Sequence, residues 1–97
     1  MENLGKYVIV RSNGAGVLFG ILKEKNGNEL TLTNVRKLYR WSGANTVEDI
    51  SVKGVKNPDG CKFTIEVSSM TVKDFEQILP CEEEAINNIK NVQVWSY

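Results

Sequence analysis

Two alternating apolar runs meet at Asn26-Gly27, and that junction constrains the fold more than any other feature of the chain. From Gly16 to Lys25, Val17, Phe19 and Ile21 fall at one parity and Leu18 and Leu22 at the other. From Glu29 to Thr33, Leu30 and Leu32 alternate with polar residues. A period of two belongs to strands, not helices. An Asn-Gly pair between such runs predicts a hairpin with a type I′ turn, which needs positive φ at both central residues. We therefore expect an antiparallel hairpin over residues 16–33, with a first strand that is central or buried on both faces.

The remaining segments fit the same class. Tyr7–Arg11 reads as a short strand, and Ser12-Asn13-Gly14-Ala15-Gly16 breaks it as a turn or bulge. That Gly-x-Gly precedes a strand and lacks the third glycine of a phosphate-binding fingerprint. Asn34–Trp41 reads as a continuation of the hairpin strand, with a short helix as the alternative. Thr46–Ile50 fits one helical turn capped by Asn45 or Thr46. Asn57-Pro58-Asp59-Gly60 is a turn. Cys61–Val67 alternates, and Val72–Leu79 reads as one strand ended by Pro80. Cys81-Glu82-Glu83-Glu84 opens the clearest helix, with Ala85, Ile86 and Ile89 on its apolar side and Asn91 as its stop. Cys81 is expected at the N-cap or in the first turn, where a thiolate would be stabilised. The expectation is a single mainly β (α+β) domain over residues 1–97. A small antiparallel β-roll, a partly open barrel or a sandwich, with one C-terminal helix, would satisfy it.

The 97 residues include no histidine, which narrows the chemistry. Ser-His-Asp and Cys-His nucleophiles, histidine proton shuttles and His-containing zinc sites are all excluded. Two cysteines, Cys61 and Cys81, make neither a Cys-x-x-Cys pair nor a disulfide framework, and both read as reduced thiols. No basic-then-apolar leader and no membrane-length apolar run is present, so a cytoplasmic location is expected. These features favour a non-enzymatic protein without metal or cofactor.

The formal charge of zero conceals a gradient. Residues 1–40 carry seven Lys and Arg against three acids, and residues 66–97 carry two Lys against six acids. All three arginines, Arg11, Arg36 and Arg40, lie in the first 40 residues. The densest constellation is Arg36-Lys37-Leu38-Tyr39-Arg40-Trp41-Ser42-Gly43. On a strand or a helix Arg36 and Arg40 share a face, and paired guanidinium forks suit phosphate or carboxylate. Tyr39 or Trp41 would stack a planar base, and the Ser42–Asn45 loop, with Ser42, Gly43 and Asn45, would close over the ligand. The competing reading makes Tyr39 and Trp41 core or interface aromatics and the arginines a solvated face.

Several segments together carry a family resemblance. They are Tyr7-Val8-Ile9-Val10-Arg11-Ser12, Gly14-Ala15-Gly16-Val17, Leu38-Tyr39-Arg40-Trp41-Ser42-Gly43-Ala44, Gly54-Val55-Lys56-Asn57-Pro58, Cys61-Lys62-Phe63-Thr64 and Ile78-Leu79-Pro80-Cys81. Over residues 6–95 the chain resembles a family of small phage and prophage proteins of unknown function. The resemblance implies a bacteriophage source and action in the bacterial cytoplasm. It supplies no activity, cofactor, catalytic residue or fold. Small phage proteins with polar pockets include sponges for cyclic-nucleotide or ADP-ribose-type immune signals, an analogy in accord with the arginine cluster.

The expectation is thus a non-catalytic phage protein, a homo-oligomer, that binds a small anionic nucleotide-like ligand and sequesters a host immune signal. The alternative is a protein–protein interaction or assembly module. A His-free hydrolase drawing on Glu48 and Asp49 is a third reading. Nucleic-acid and membrane partners are not expected.

Overall fold

The computed structural model describes residues 3–14, 16–40, 46–56 and 61–94. The elements run β1 (Tyr7–Ser12), β2 (Gly16–Asn26), β3 (Glu29–Arg40), α1 (Val47–Lys53), β4 (Lys62–Phe63), β5 (Val67–Lys73), β6 (Phe75–Pro80) and α2 (Glu83–Lys90). All six strands join one antiparallel sheet in the order β4-β3-β2-β1-β6, with β5 also paired to β3. The mainly β class is as the sequence indicates, and β3 is strand through Arg40.

The sheet is open along its hydrogen-bonded path, yet it curls. β5 lies beside β3 and β6 lies beside β1, although only Asp74 separates them in sequence. The curl is built into the long hairpin. Phe19 pairs with Arg36 and Ile21 with Thr33, so Gly20 faces two residues, Asn34 and Val35. Asn34 takes φ 53°, the left-handed conformation of a bulged residue. A Cβ on Gly20 would stand 3.0 Å from the Thr33 carbonyl oxygen, so this corner admits only glycine without a backbone shift. Lys23 is a second unpaired residue, between Leu22↔Leu32 and Glu24↔Thr31. These irregularities bend the strands so that the hairpin tip reaches Asp74. There Asn28 Nδ2 donates to the Asp74 carboxylate at 2.6 Å, and Asp74 N–H donates to the Asn28 carbonyl at 2.8 Å.

The hairpin turn differs from the expected type. Asn26 pairs with Glu29, so the central residues are Gly27 and Asn28. Gly27 has φ 60° while Asn28 does not enter the positive region, which is the pattern of a type II′ turn with glycine first.

Alternation sends side chains into two cores. Val8, Val10, Leu18, Leu22, Leu30, Leu32, Val35 and Val72 fill the inside of the curl. Ile9, Val17, Phe19 and Leu38 point the other way and are covered by Val47 and Ile50 of α1 and Ile89 of α2. β2 is therefore buried on both faces, as its two-parity pattern requires.

Two expected strands are remodelled. The alternation over Cys61–Val67 yields the two-residue β4 and, at Val67, only the start of β5, with Ile65 and Val67 exposed. The single strand expected over Val72–Leu79 is two, broken at Asp74, whose φ is 55°. Besides the expected C-terminal helix there is a full α1, with Thr46 as its N-cap accepting from Asp49 N–H. At its end Gly54 has φ 77°, and Val55 is fixed by Asn88 of α2. The Asn88 amide donates to the Val55 carbonyl at 2.9 Å and accepts from Val55 N–H at 2.8 Å.

Candidate functional site

Arg36 stands at the centre of the predicted site, and the fold places it inside. It is 5% exposed, on the helix-covered face of β3. Its Nε donates to the Thr64 carbonyl at 3.1 Å and its Nη1 to the Ile89 carbonyl at 2.9 Å. The guanidinium lies 4.9 Å from the centroid of the Phe63 ring. Nη2 is buried without a protein acceptor among the described residues. Burial lowers the pKa of Arg36 from its ordinary value, with the Glu66 carboxylate acting in the opposite direction. This arrangement joins β3 to the chain after β4 and to the C-terminus of α2, where the helix dipole favours a cation. The fork expected to face a ligand instead serves carbonyls of the protein's own backbone.

Arg40 and Tyr39 close β3, with Arg40 in register with Lys62, and their side chains are outside the described set. Trp41, Ser42, Gly43 and Asn45 also lie outside the described residues. The segment 41–45 joins the end of β3 to Thr46, and Thr46 lines a cavity.

That cavity has a volume of about 480 Å³. Its wall combines the β1–β2 turn (Arg11, Ser12, Asn13, Gly16) with Thr46 and Glu48 at the start of α1. The register explains the convergence. Arg11 pairs with Val17, and Val17 with Leu38, so the ends of β1, β2 and β3 are neighbours at this edge of the sheet. Gly16 adopts φ 86°, and the Lys37 Cε is 3.4 Å from where its Cβ would be, so the lysine stem passes over the turn. Arg11 is exposed, and no carboxylate pairs with it among the described residues. The set thus offers a charge-assisted donor fork, an amide, hydroxyls and one carboxylate. From the sequence, Arg11 counts among the N-terminal basic residues and sits on a strand, and the likeness of the turn holding Asn13 to a phosphate loop is set aside. The glycine-containing turn beside an arginine was the available signal, but pairing with Thr46 and Glu48 is a contact across more than thirty residues.

The chain compares with known proteins as follows. A family model described as a domain of unknown function, DUF6948, matches residues 5–89. The chain belongs to the DUF6948 family. The matched span contains every lining residue of the Arg11 cavity, the Arg36 cluster and the Gly54–Asn88 contact. No similar curated protein and no similar solved structure was found.

A second cavity of about 510 Å³ lies between the start of β1 and α2, lined in part by Lys6, Tyr7, Cys81, Asn87 and Lys90. Its aromatic is already engaged. Tyr7 stacks on Phe19 with centroids 4.8 Å apart, and Lys90 Nζ is 4.8 Å from the Tyr7 centroid. Its cysteine is not activated. The N-cap of α2 is Glu82, one residue beyond Cys81, contrary to the expected capping position. Burial, followed by the Glu82 carboxylate, pushes the Cys81 thiol up to about 12. Cys61 and Cys81 form no disulfide. No group of acidic or thiol side chains suited to a metal ion occurs among the described residues.

Proposed function

We propose that this protein is a non-catalytic binding module for a small anionic, nucleotide-like ligand, held in the cavity beside Arg11. The observation that carries the reading is the exposed Arg11 on the wall of a cavity of about 480 Å³. A guanidinium fork binds phosphate with two charge-assisted hydrogen bonds. Asn13 and Thr46 add polar groups, and Glu48 offers an acceptor for ribose hydroxyls or a base amine. Arg40, Trp41, Ser42, Gly43 and Asn45 belong to the chain that leads into Thr46, and in this reading they complete the site. Arg36 does not take part, since it is buried with its Nε on Thr64 and its Nη1 on Ile89. The absence of histidine supports binding over turnover. A phage-encoded homo-oligomer that sequesters an immune signal in the bacterial cytoplasm is the use we assign to such a module.

Calorimetry against cyclic dinucleotides and ADP-ribose tests the reading. We expect one of them to bind, and Arg11→Ala to weaken it roughly ten- to a hundredfold, the worth of a charged hydrogen bond. Silence across the panel, or unchanged affinity in that variant, refutes the site.

One observation favours the assembly alternative. Ile65 is 65% exposed, and Val67 and Val94 are exposed at 37% and 49% near the same β4–β5 region, where Val94 bridges Phe63. Stoichiometric capture of one partner that is lost in Ile65→Asp, together with silence in calorimetry, would select that reading.

A further inference from the structure

The sequence contains two Asn-Gly pairs, Asn13-Gly14 and Asn26-Gly27, and the fold treats them differently. An asparagine followed by glycine is prone to a specific self-reaction. The backbone nitrogen of the glycine loses its proton to base and attacks the asparagine Cγ. The new N–C bond closes a five-membered succinimide, the Cγ–Nδ2 bond breaks, and the side-chain nitrogen leaves as ammonia after taking up a proton. Water then opens the ring at either carbonyl, giving aspartate or isoaspartate. No oxidant or enzyme enters the balance. Glycine favours the attack because it has no Cβ to obstruct it.

The attack requires the asparagine backbone to leave the extended conformation and its amide to swing freely. Asn26 meets neither condition. It is the last residue of β2, in register with Glu29, and its Nδ2 donates to the Glu24 carboxylate at 3.0 Å. Asn13 meets both. It is an exposed turn residue between β1 and β2, and its amide has no hydrogen-bond partner among the described residues. Gly14 has nothing within 4 Å of where a Cβ would stand, so the turn has room to rearrange.

We propose that Asn13 is a site of spontaneous deamidation, which places a carboxylate in the Arg11 cavity. Asn13 is part of that cavity's wall. The new charge lies in the turn just past the end of β1, two residues from Arg11, and competes for it with any anionic ligand. This consequence for binding rests on the reading of the cavity as an anion site; the modification itself does not.

The intact protein is incubated at mildly alkaline pH and digested with trypsin, which separates Asn13 in the peptide Ser12–Lys23 from Asn26 in the peptide Asn26–Arg36. We expect the amide-to-acid mass shift and an isoaspartate-containing isomer in the first peptide, several-fold faster than in the second, and faster still as pH rises. Gly14→Ala should slow the first peptide several-fold without changing the second. An unchanged Asn13, or conversion of Asn26 at an equal or higher rate, overturns the proposal. Calorimetry with ADP-ribose on fresh protein and on Asn13→Asp separates the two readings. Binding to fresh protein that weakens several-fold in the variant supports the competing charge. No binding of ADP-ribose or of any cyclic dinucleotide to fresh protein refutes the anion site and leaves deamidation to be decided by the peptide masses.

Discussion

Arg36 Nη1 donates to the carbonyl of Ile89 across 2.9 Å, and this bond ties the middle of β3 to the last turn of α2. With Nε on Thr64 and the ring of Phe63 beneath the guanidinium, one side chain holds three segments together. A buried arginine in this setting is a structural cross-brace.

That role predicts a stability effect. Arg36→Ala removes a donor from the Thr64 and Ile89 carbonyls and the packing on Phe63, and should cost roughly 2–4 kcal/mol in urea unfolding, where a solvated surface arginine would change stability by about 0.5 kcal/mol or less. A near-zero effect would return Arg36 to the surface.

Gly54 predicts a second. Its φ of 77° and the Asn88 side chain directly beside it leave no place for a Cβ. Gly54→Ala should destabilise by roughly 2 kcal/mol or more, from backbone strain together with displacement of the Asn88 amide. Asn88→Ala should cost about 1–3 kcal/mol because the Val55 N–H and carbonyl lose their partner. The double variant should cost less than the sum, since both changes break the same contact. Thermal unfolding of the three variants measures this.

The bend at Gly20 predicts a third. A methyl group there meets the Thr33 carbonyl at 3.0 Å and Val35 Cγ2 at 3.3 Å. Gly20→Ala should cost about 1–3 kcal/mol through overpacking, read as a lowered denaturation midpoint. An equivalent change at Gly14, which has open space around it, should be close to neutral.

Cys81 predicts a pH dependence. With its thiol pushed up to about 12, alkylation by iodoacetamide in the folded protein should be slow. Near pH 8 the thiolate fraction falls on the order of a thousandfold below that of an unperturbed cysteine, and denaturant should restore labelling. The unfolded chain ionises this thiol near its ordinary pKa while the folded chain holds the proton. The stability it contributes is therefore complete below pH ~8.5 and declines as pH rises toward 12. Rapid native-state labelling of Cys81 would contradict the burial.

Much of the fold was legible along the chain. The parities of Val17, Leu18, Phe19 and Leu22 specify a strand buried on both faces, and β2 is that strand. The acidic first turn and Asn91 stop of α2 were equally plain. The errors have local causes. Asn26-Gly27 advertised a type I′ turn, but the pairing of Asn26 with Glu29 moved the turn by one residue and left Gly27 alone with positive φ. The alternation of Cys61–Val67 promised a strand, but β3 offers only a short edge there before β5 takes over the pairing.

The site was less legible. Spacing alone put Arg36 and Arg40 on one face and could not say whether that face meets water or a helix. Burial is decided by what packs on top, and α2 is contributed by residues more than forty positions away. Arg11 and Thr46 gave no shared signal because their proximity is created by the register of three strands and the placement of α1.

The sequence by itself determined the strand periodicity, the hairpin, the C-terminal helix and the absence of histidine chemistry, because each is a property of neighbours along the chain. Only the tertiary structure decided that Arg36 is a brace and that Arg11 faces a cavity. The cost or gain of exposing a charge depends on the surfaces that fold against it, and those surfaces come from distant parts of the chain.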